Sequence, residues 1–152
     1  MDSITMTRIQ SAHPKLRDEL GRIYADICAA LKGRAMCRFT HVLRTKKEQD
    51  ELFAQGRTKA GKIVTNARGG YSYHNYGLAV DICLIIDGKT AVWDFKTDFD
   101  LDGIADWLEI VRIFKAYGWE WGGDWKRFPD APHFQKTFGL SIADLLNGKQ
   151  PT

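Results

Sequence analysis

An aspartate in the middle of a strand-like apolar run is the demand that most narrows what this chain can fold into. Residues Leu78–Ile86 read L-A-V-D-I-C-L-I-I, a short stretch rich in Val, Ile and Leu, which predicts a buried strand. Asp81 interrupts it, and a charge in such a place needs a partner. His74 lies seven residues upstream across Gly77, and His133 stands far downstream in P-D-A-P-H-F-Q. Imidazole nitrogen and carboxylate oxygen are both good zinc donors. Two histidines and one aspartate on a metal leave a fourth position for water, as in catalytic rather than structural sites. A buried Asp can also be satisfied by backbone N–H groups or an arginine. A lone histidine is more often a surface or hydrogen-bonded residue, which is how His13 and His41 read.

The rest of the chain supplies short elements of both kinds. Leu16, Leu20, Ile23, Tyr24, Ile27 and Leu31 recur at helical spacing, with Pro14 in the first turn and Gly33 beyond the end. Met36–Val42 predicts a strand. Thr45 and Glu48 then form a T-x-x-E capping box that opens a helix to about Gln55. From Gly56 to Tyr73 the sequence is basic, Gly-rich and aperiodic, a loop expected to border a cleft. Thr90–Trp93 follows an Asp87-Gly88 turn signal and predicts a hairpin with the strand through Asp81. A helix is predicted from Gly103 to Tyr117, with Trp107, Leu108, Val111 and Phe114 on one face. Trp119–Trp125 can wall a cleft or fill a core. His133–Thr137 predicts a short strand, and Ser141 caps a last helix to Asn147. The class is α+β, a small and largely antiparallel sheet flanked by helices.

Composition closes several other possibilities. The chain has 152 residues, enough for one domain spanning 1–152, and no linker or repeat divides it. With 44% apolar and 27% charged residues it is not a disordered chain. A net charge of +3 without a basic, aromatic-interleaved footprint argues against nucleic acid as the partner. Three cysteines, Cys28, Cys37 and Cys83, are an odd number in apolar surroundings and read as reduced thiols. The first residues lack the apolar core of a secretory signal, and no run is long enough to insert stably in a membrane.

Several motifs carry a family resemblance. The pattern S-x-H-x-x-G-x-A-x-D, present as Ser72, His74, Gly77, Ala79 and Asp81, with Asp130 and His133 as D-x-P-H, resembles the LAS group of zinc metallopeptidases. That group includes D-alanyl-D-alanine carboxypeptidases and phage L-alanyl-D-glutamate endopeptidases. R-T-K-K-E-Q from Arg44, G-K-I-V-T-N-A from Gly61 and G-W-E-W-G-G-D-W from Gly118 are similar to the endopeptidase branch. The carboxypeptidases typically carry E-x-W-H where this chain has Asp130-Ala131-Pro132-His133. The resemblance covers most of the chain and implies zinc on His74, Asp81 and His133. It also implies that Asp130 serves as general base, while Arg44, Gln49 and Ser72 orient substrate or stabilise charge. The implied reaction is hydrolysis of the L-alanyl-D-glutamate bond in peptidoglycan stem peptides. Its alternatives are D-alanyl-D-alanine carboxypeptidase action or a non-catalytic zinc-bearing wall-binding module. For a phage lysis enzyme, the family implies accumulation in the host cytoplasm until a separate pore-forming protein releases it onto the cell wall; a monomer is expected. A single catalytic domain without a separate wall-binding part is expected.

The residues bear on these roles directly. Asp130 precedes His133 by three positions in a segment stiffened by Pro129 and Pro132, so it can sit beside a metal-bound water. Glu120, between Trp119 and Trp121, is the reserve base. Arg44 can grip a carboxylate of an acidic peptide through its planar guanidinium or pair with a structural carboxylate, and Ser72 can instead cap its loop. A second cation is suggested elsewhere. Asp98, Asp100, Asp102, Gly103, Asp106 and Glu109 occupy positions 1, 3, 5, 6, 9 and 12 of an EF-hand-type loop, with the Ile104 carbonyl at 7. Calcium is the expected ion, although a strand replaces the usual entering helix. The alternative is an acidic cluster that merely suits a helix N-terminus.

Overall fold

The strand that carries Asp81 is the hub of the sheet. The computed structural model describes residues 1–152. Strand β1 (Ala35–His41) runs antiparallel to β2 (Ala79–Ile86) along one edge of the latter. Along the opposite edge of β2, β3 (Thr90–Val92) pairs with residues 84–86 and β5 (His133–Gln135) with residues 79–81. Strand β4 (Glu120–Trp121) lies beyond β5, so the order is β1-β2-β5-β4 and every pairing is antiparallel. Flanked on both edges, every residue of β2 except Asp81 is buried, which is why its sequence is continuous rather than alternating.

Helices cover the sheet and close one core. Helix α2 (Arg17–Ala30) buries Leu20, Ile23, Tyr24 and Ile27, and α4 (Asp106–Ala116) buries Trp107, Ile110, Val111 and Phe114. The Phe114 ring stacks on Phe134 of β5 with centroids 4.1 Å apart, fixing the short strand under the helix. A single cluster of 23 buried apolar residues runs through these elements. No helix is long and apolar enough to cross a membrane.

Three junctions place the functional residues. Helix α3 (Lys46–Ala54) begins as the capping box predicts: Glu48 N–H donates to Thr45 Oγ1 at 3.1 Å, and Thr45 N–H donates to Glu48 Oε1 at 3.0 Å. Between Phe39 and His41 the β1–β2 register shifts, and the bulge sets His41 opposite Asp81. A short 3-10 helix, Tyr73–Tyr76, ends at Gly77 with φ 70°; a Cβ there would also lie 2.4 Å from the His13 backbone nitrogen. Only glycine satisfies both constraints, so the glycine of the motif is what turns the chain from His74 into β2.

Some expectations give way to the structure. Helix α2 starts at Arg17, leaving Pro14 in the preceding turn instead of the first helical turn. Helix α4 starts at Asp106 rather than Gly103, because residues 98–105 form a loop folded on its own aspartates. Leu108 is 38% exposed, and Ile110 takes its place on the buried face. An N-terminal helix, α1 (Ser3–Ile9), is too short for periodicity to reveal. Its Asp2 cap accepts from Thr5 N–H and pairs with Arg38 of β1 through two 3.0 Å contacts. Those Arg38 hydrogen bonds hold the Asp2 carboxyl down at about 2. The last helix, α5 (Ile142–Leu146), follows its Ser141 cap as expected.

Candidate metal centre and its cleft

Cross-strand pairing brings Asp81 and His133 together, since they face one another in the β2–β5 register. His133 Nδ1 stands 3.0 Å from Asp81 Oδ1, and His74 Nε2 stands 3.1 Å from the same oxygen. Ligand atoms of the three residues lie within 4.8 Å of one another. The predicted donors therefore converge.

Each imidazole is held by its far nitrogen. His74 Nδ1 lies 2.9 Å from the Val42 carbonyl, which can only accept, so Nδ1 carries a proton and Nε2 faces Asp81. His133 Nε2 lies 2.7 Å from Gln135 Oε1. The Gln135 amide is oriented in turn because its Nε2 donates to Glu120 Oε1 at 3.0 Å. His133 Nε2 thus donates, and Nδ1 faces Asp81. With their tautomers set from behind, both rings turn their remaining nitrogen toward the Asp81 carboxylate, where either a proton or a shared metal ion can bridge the contact. Their spacing near 3 Å approaches the roughly 3.4 Å between neighbouring ligands of a tetrahedral zinc. The donor set, its spacing and its outer partners all fit zinc.

Electrostatics follow from the same contacts. Burial works against ionisation of Asp81, yet hydrogen bonds with His133 and His74 hold its carboxyl far below the usual range. Burial pushes His133 down, but the bond to Asp81 outweighs it and the imidazole is raised. Asp130 is raised, first because its carboxyl is partly shielded from water and then by the charge of Asp81. These three carboxyl and imidazole groups open on a cleft of about 640 Å³, whose lining also includes Arg44, Ser72, Trp125 and the loop residues Val64, Thr65, Ala67 and Tyr71. The aperiodic loop borders the cleft as expected.

Asp130 is held against the centre by a glycine. Asp130 N–H donates to the Gly122 carbonyl at 2.8 Å, and a Cβ on Gly122 would meet the Asp130 carbonyl at 2.4 Å and the His133 Cβ at 3.2 Å. The close approach of the two segments requires that residue to be glycine. Trp107 Nε1 and Trp121 Nε1 both donate to the Ala131 carbonyl, at 3.2 and 2.7 Å, and fix the same segment from its other side.

The other expected residues divide. Arg44 lines the cleft, with one guanidinium nitrogen 4.0 Å from Asp81 Oδ2 and another donating to Gln49 Oε1 at 3.1 Å. Gln49 is wholly buried, and its amide donates to the Ala67 carbonyl at 2.8 Å. It therefore positions Arg44 and the loop instead of touching substrate. Ser72 caps the 3-10 helix by accepting from His74 N–H, while also lining the cleft. Glu120 is not a reserve base: its two carboxylate oxygens accept from Gln135 and Trp125. His41 is a cleft residue rather than a plain surface histidine, 4.0 Å from Asp81 Oδ2. Trp125, at the end of the stretch that could wall a cleft or fill a core, lines the cleft with its ring 5.3 Å from His133, whereas Gln135 escaped sequence reading. Period-two spacing from His133 is the one signal that points to Gln135.

This is the architecture of a metallopeptidase centre. A family model described as D-alanyl-D-alanine carboxypeptidase matches residues 65–136. The peptidoglycan L-alanyl-D-glutamate endopeptidase CwlK of Bacillus subtilis (strain 168) is 50% identical over 123 residues, covering 81% of this chain and 72% of the relative. An L-alanyl-D-glutamate peptidase of Listeria phage A118 is 32% identical over 119 residues, 72% of this chain but 36% of the relative. Among solved structures, the Serratia marcescens L-Ala D-Glu endopeptidase ChiX matches with a TM-score of 0.60 at 22% identity, over 91% of this chain and 90% of that one. The vancomycin-resistance D,D-dipeptidase VanXYg matches with a TM-score of 0.52 at 21% identity, over 88% and 57%. These two structural likenesses speak for the fold. The chain belongs to the M15 family of zinc peptidases, of LAS type.

Proposed function

We propose that the protein is a zinc-dependent peptidoglycan peptidase that cuts the L-alanyl-D-glutamate amide of stem peptides. The observation that carries hydrolysis is the convergence of His74, Asp81 and His133 beside a cleft that also holds Asp130. The bond specificity rests on the 50% identity to CwlK across most of both chains. His74, Asp81 and His133 would hold the zinc, which when bound would supply a lowered pKa for water and polarisation of the scissile carbonyl.

The chain's own residues do the rest. Asp130 takes the proton from the attacking water on its carboxylate and returns it to the departing amine nitrogen. Gln49 fixes Arg44 from below, leaving guanidinium N–H groups for the substrate's carboxylate or for charge that develops on the carbonyl oxygen. Ser72 holds His74 through its cap, and Trp125 supplies an apolar wall beside His133. The place of action is the bacterial cell wall.

A second reading, D-alanyl-D-alanine carboxypeptidase, is favoured by the description of the family model over 65–136. Mass spectrometry separates the two. Zinc-loaded protein incubated with purified muropeptides should produce fragments with a free D-glutamate amine. Loss of terminal D-alanine alone would establish the second reading, and intact muropeptides would overturn both.

A further inference from the structure

Where the start of α4 meets the end of α2, the segment 98–109 gathers five carboxylates that the peptidase chemistry does not use. Ligand atoms of Asp98, Asp100 and Asp106 lie within 4.8 Å of one another, as do those of Asp100, Asp102 and Glu109. Asp106 is completely buried. Its Oδ1 accepts from Phe99 N–H at 2.7 Å, but its Oδ2 is buried without any hydrogen-bond partner. Asp100 Oδ1 and Glu109 Oε2 are orphaned in the same way. None of the ion pairs of the fold reaches any of the five.

The surroundings add no positive charge at contact distance. Asp100 packs against the turn that follows α2: a Cβ on Gly33 would come within 2.9 Å of it, Lys32 N–H donates to its Oδ2 at 3.5 Å, and the Lys32 side chain lines the same pocket without forming an ion pair. Burial and neighbouring carboxylates push Glu109 up to about 8. Shielded carboxylate oxygens without donors are costly, and three in one loop call for a cation. Five carboxylates and a backbone carbonyl form a hard, all-oxygen set, too many for magnesium with its retained waters and unlike the nitrogen-containing zinc centre.

We propose that Asp98, Asp100, Asp102, Asp106 and Glu109, with the Ile104 carbonyl, bind one calcium ion that clamps the start of α4 and thereby steadies the Asp130–His133 segment. The link is short. Asp106 and Glu109 bracket Trp107 in the first turn of α4, and Trp107 Nε1 donates to the Ala131 carbonyl between Asp130 and His133. Ion binding stands independently of the peptidase reading; only the effect on rate rests on it.

The test uses zinc-loaded protein stripped of other divalent ions. Calorimetric titration with calcium should show one site, and calcium should raise Tm. Terbium should give emission sensitised through Trp107 that calcium displaces and magnesium at equal concentration does not. Glu109→Gln should weaken calcium binding at least about tenfold, as should Asp100→Asn if the first variant folds poorly. Absence of saturable binding up to about 1 mM calcium, or unaltered affinity in both variants, overturns the site. In the wild type, calcium should raise the rate of muropeptide cleavage severalfold; binding without a change in rate overturns the clamp. Protein that binds calcium yet cleaves nothing at any calcium concentration contradicts the peptidase reading and leaves the cation site standing.

Discussion

The His74–Asp81–His133 centre and the acidic 98–109 segment both gather side chains of types that can hold a metal ion, and they are assembled in opposite ways. Around His74, Asp81 and His133, the far nitrogen of each imidazole has its own acceptor: the Val42 carbonyl for one, and Gln135 backed by Glu120 for the other. Orientation there is settled by neutral dipoles before any ion arrives. In the 98–109 loop the aspartates mostly accept from their own loop's N–H groups, and three carboxylate oxygens have no donor at all. The first cluster is preorganised and the second is strained by like charge. A preorganised site should lose function when a ligand or its support is removed. A strained one should lose mainly the stabilisation its ion brings.

Experiments can break this contrast in order of expected effect. His74→Ala should lose zinc and with it hydrolysis above background, as should chelation of the wild type, read by metal content and muropeptide release. Asp130→Asn should slow cleavage by about 10²–10⁴-fold with zinc still bound, which separates base from ligand. Gln135→Leu keeps all three ligands but cuts the relay behind His133; zinc affinity, measured by competition with a chelator, should fall by about 10–100-fold. If it does not move, the preorganised half of the contrast fails.

Asp2 provides the control, a buried carboxylate already matched by its own cation, Arg38. Its pKa is depressed from 3.8 to about 2, so the pair's stabilisation is present above about pH 4 and is lost as pH falls toward 2. Asp2→Asn should cost about 2 kcal/mol in urea melts at neutral pH and flatten the acid limb of stability, leaving both metal affinities unchanged. Smallest of all, Thr45→Ala removes one cap and should cost about 1 kcal/mol.

What could be read from the chain follows the same division. His74, Asp81, His133 and Asp130 were legible because the chemistry resides in the residue types themselves and in their spacing. The capping box at Thr45, the cap at Ser141 and the Asp87-Gly88 hairpin were legible because their signals are local. Glu120 and Gln135 were misread or missed because their roles depend on which strands lie side by side, and β5 and β4 are only three and two residues long. Gln49 looked like a substrate contact because a polar helical residue gives no sign of whether its amide will be buried. Leu108 erred in the other direction, since Val111 and Phe114 are compatible with either neighbour on the buried stripe.

The pairing of Asp81 with His133, and of Gln135 with Glu120, ties catalysis to the way the sheet zips together. A slip of one residue along β5 would turn His133 and Gln135 to the opposite face in a single move, abolishing the donor and its brace at once. Tight zinc uptake by freshly refolded protein would thus serve as a proofreading signal, reporting that the strands have met in their native alignment.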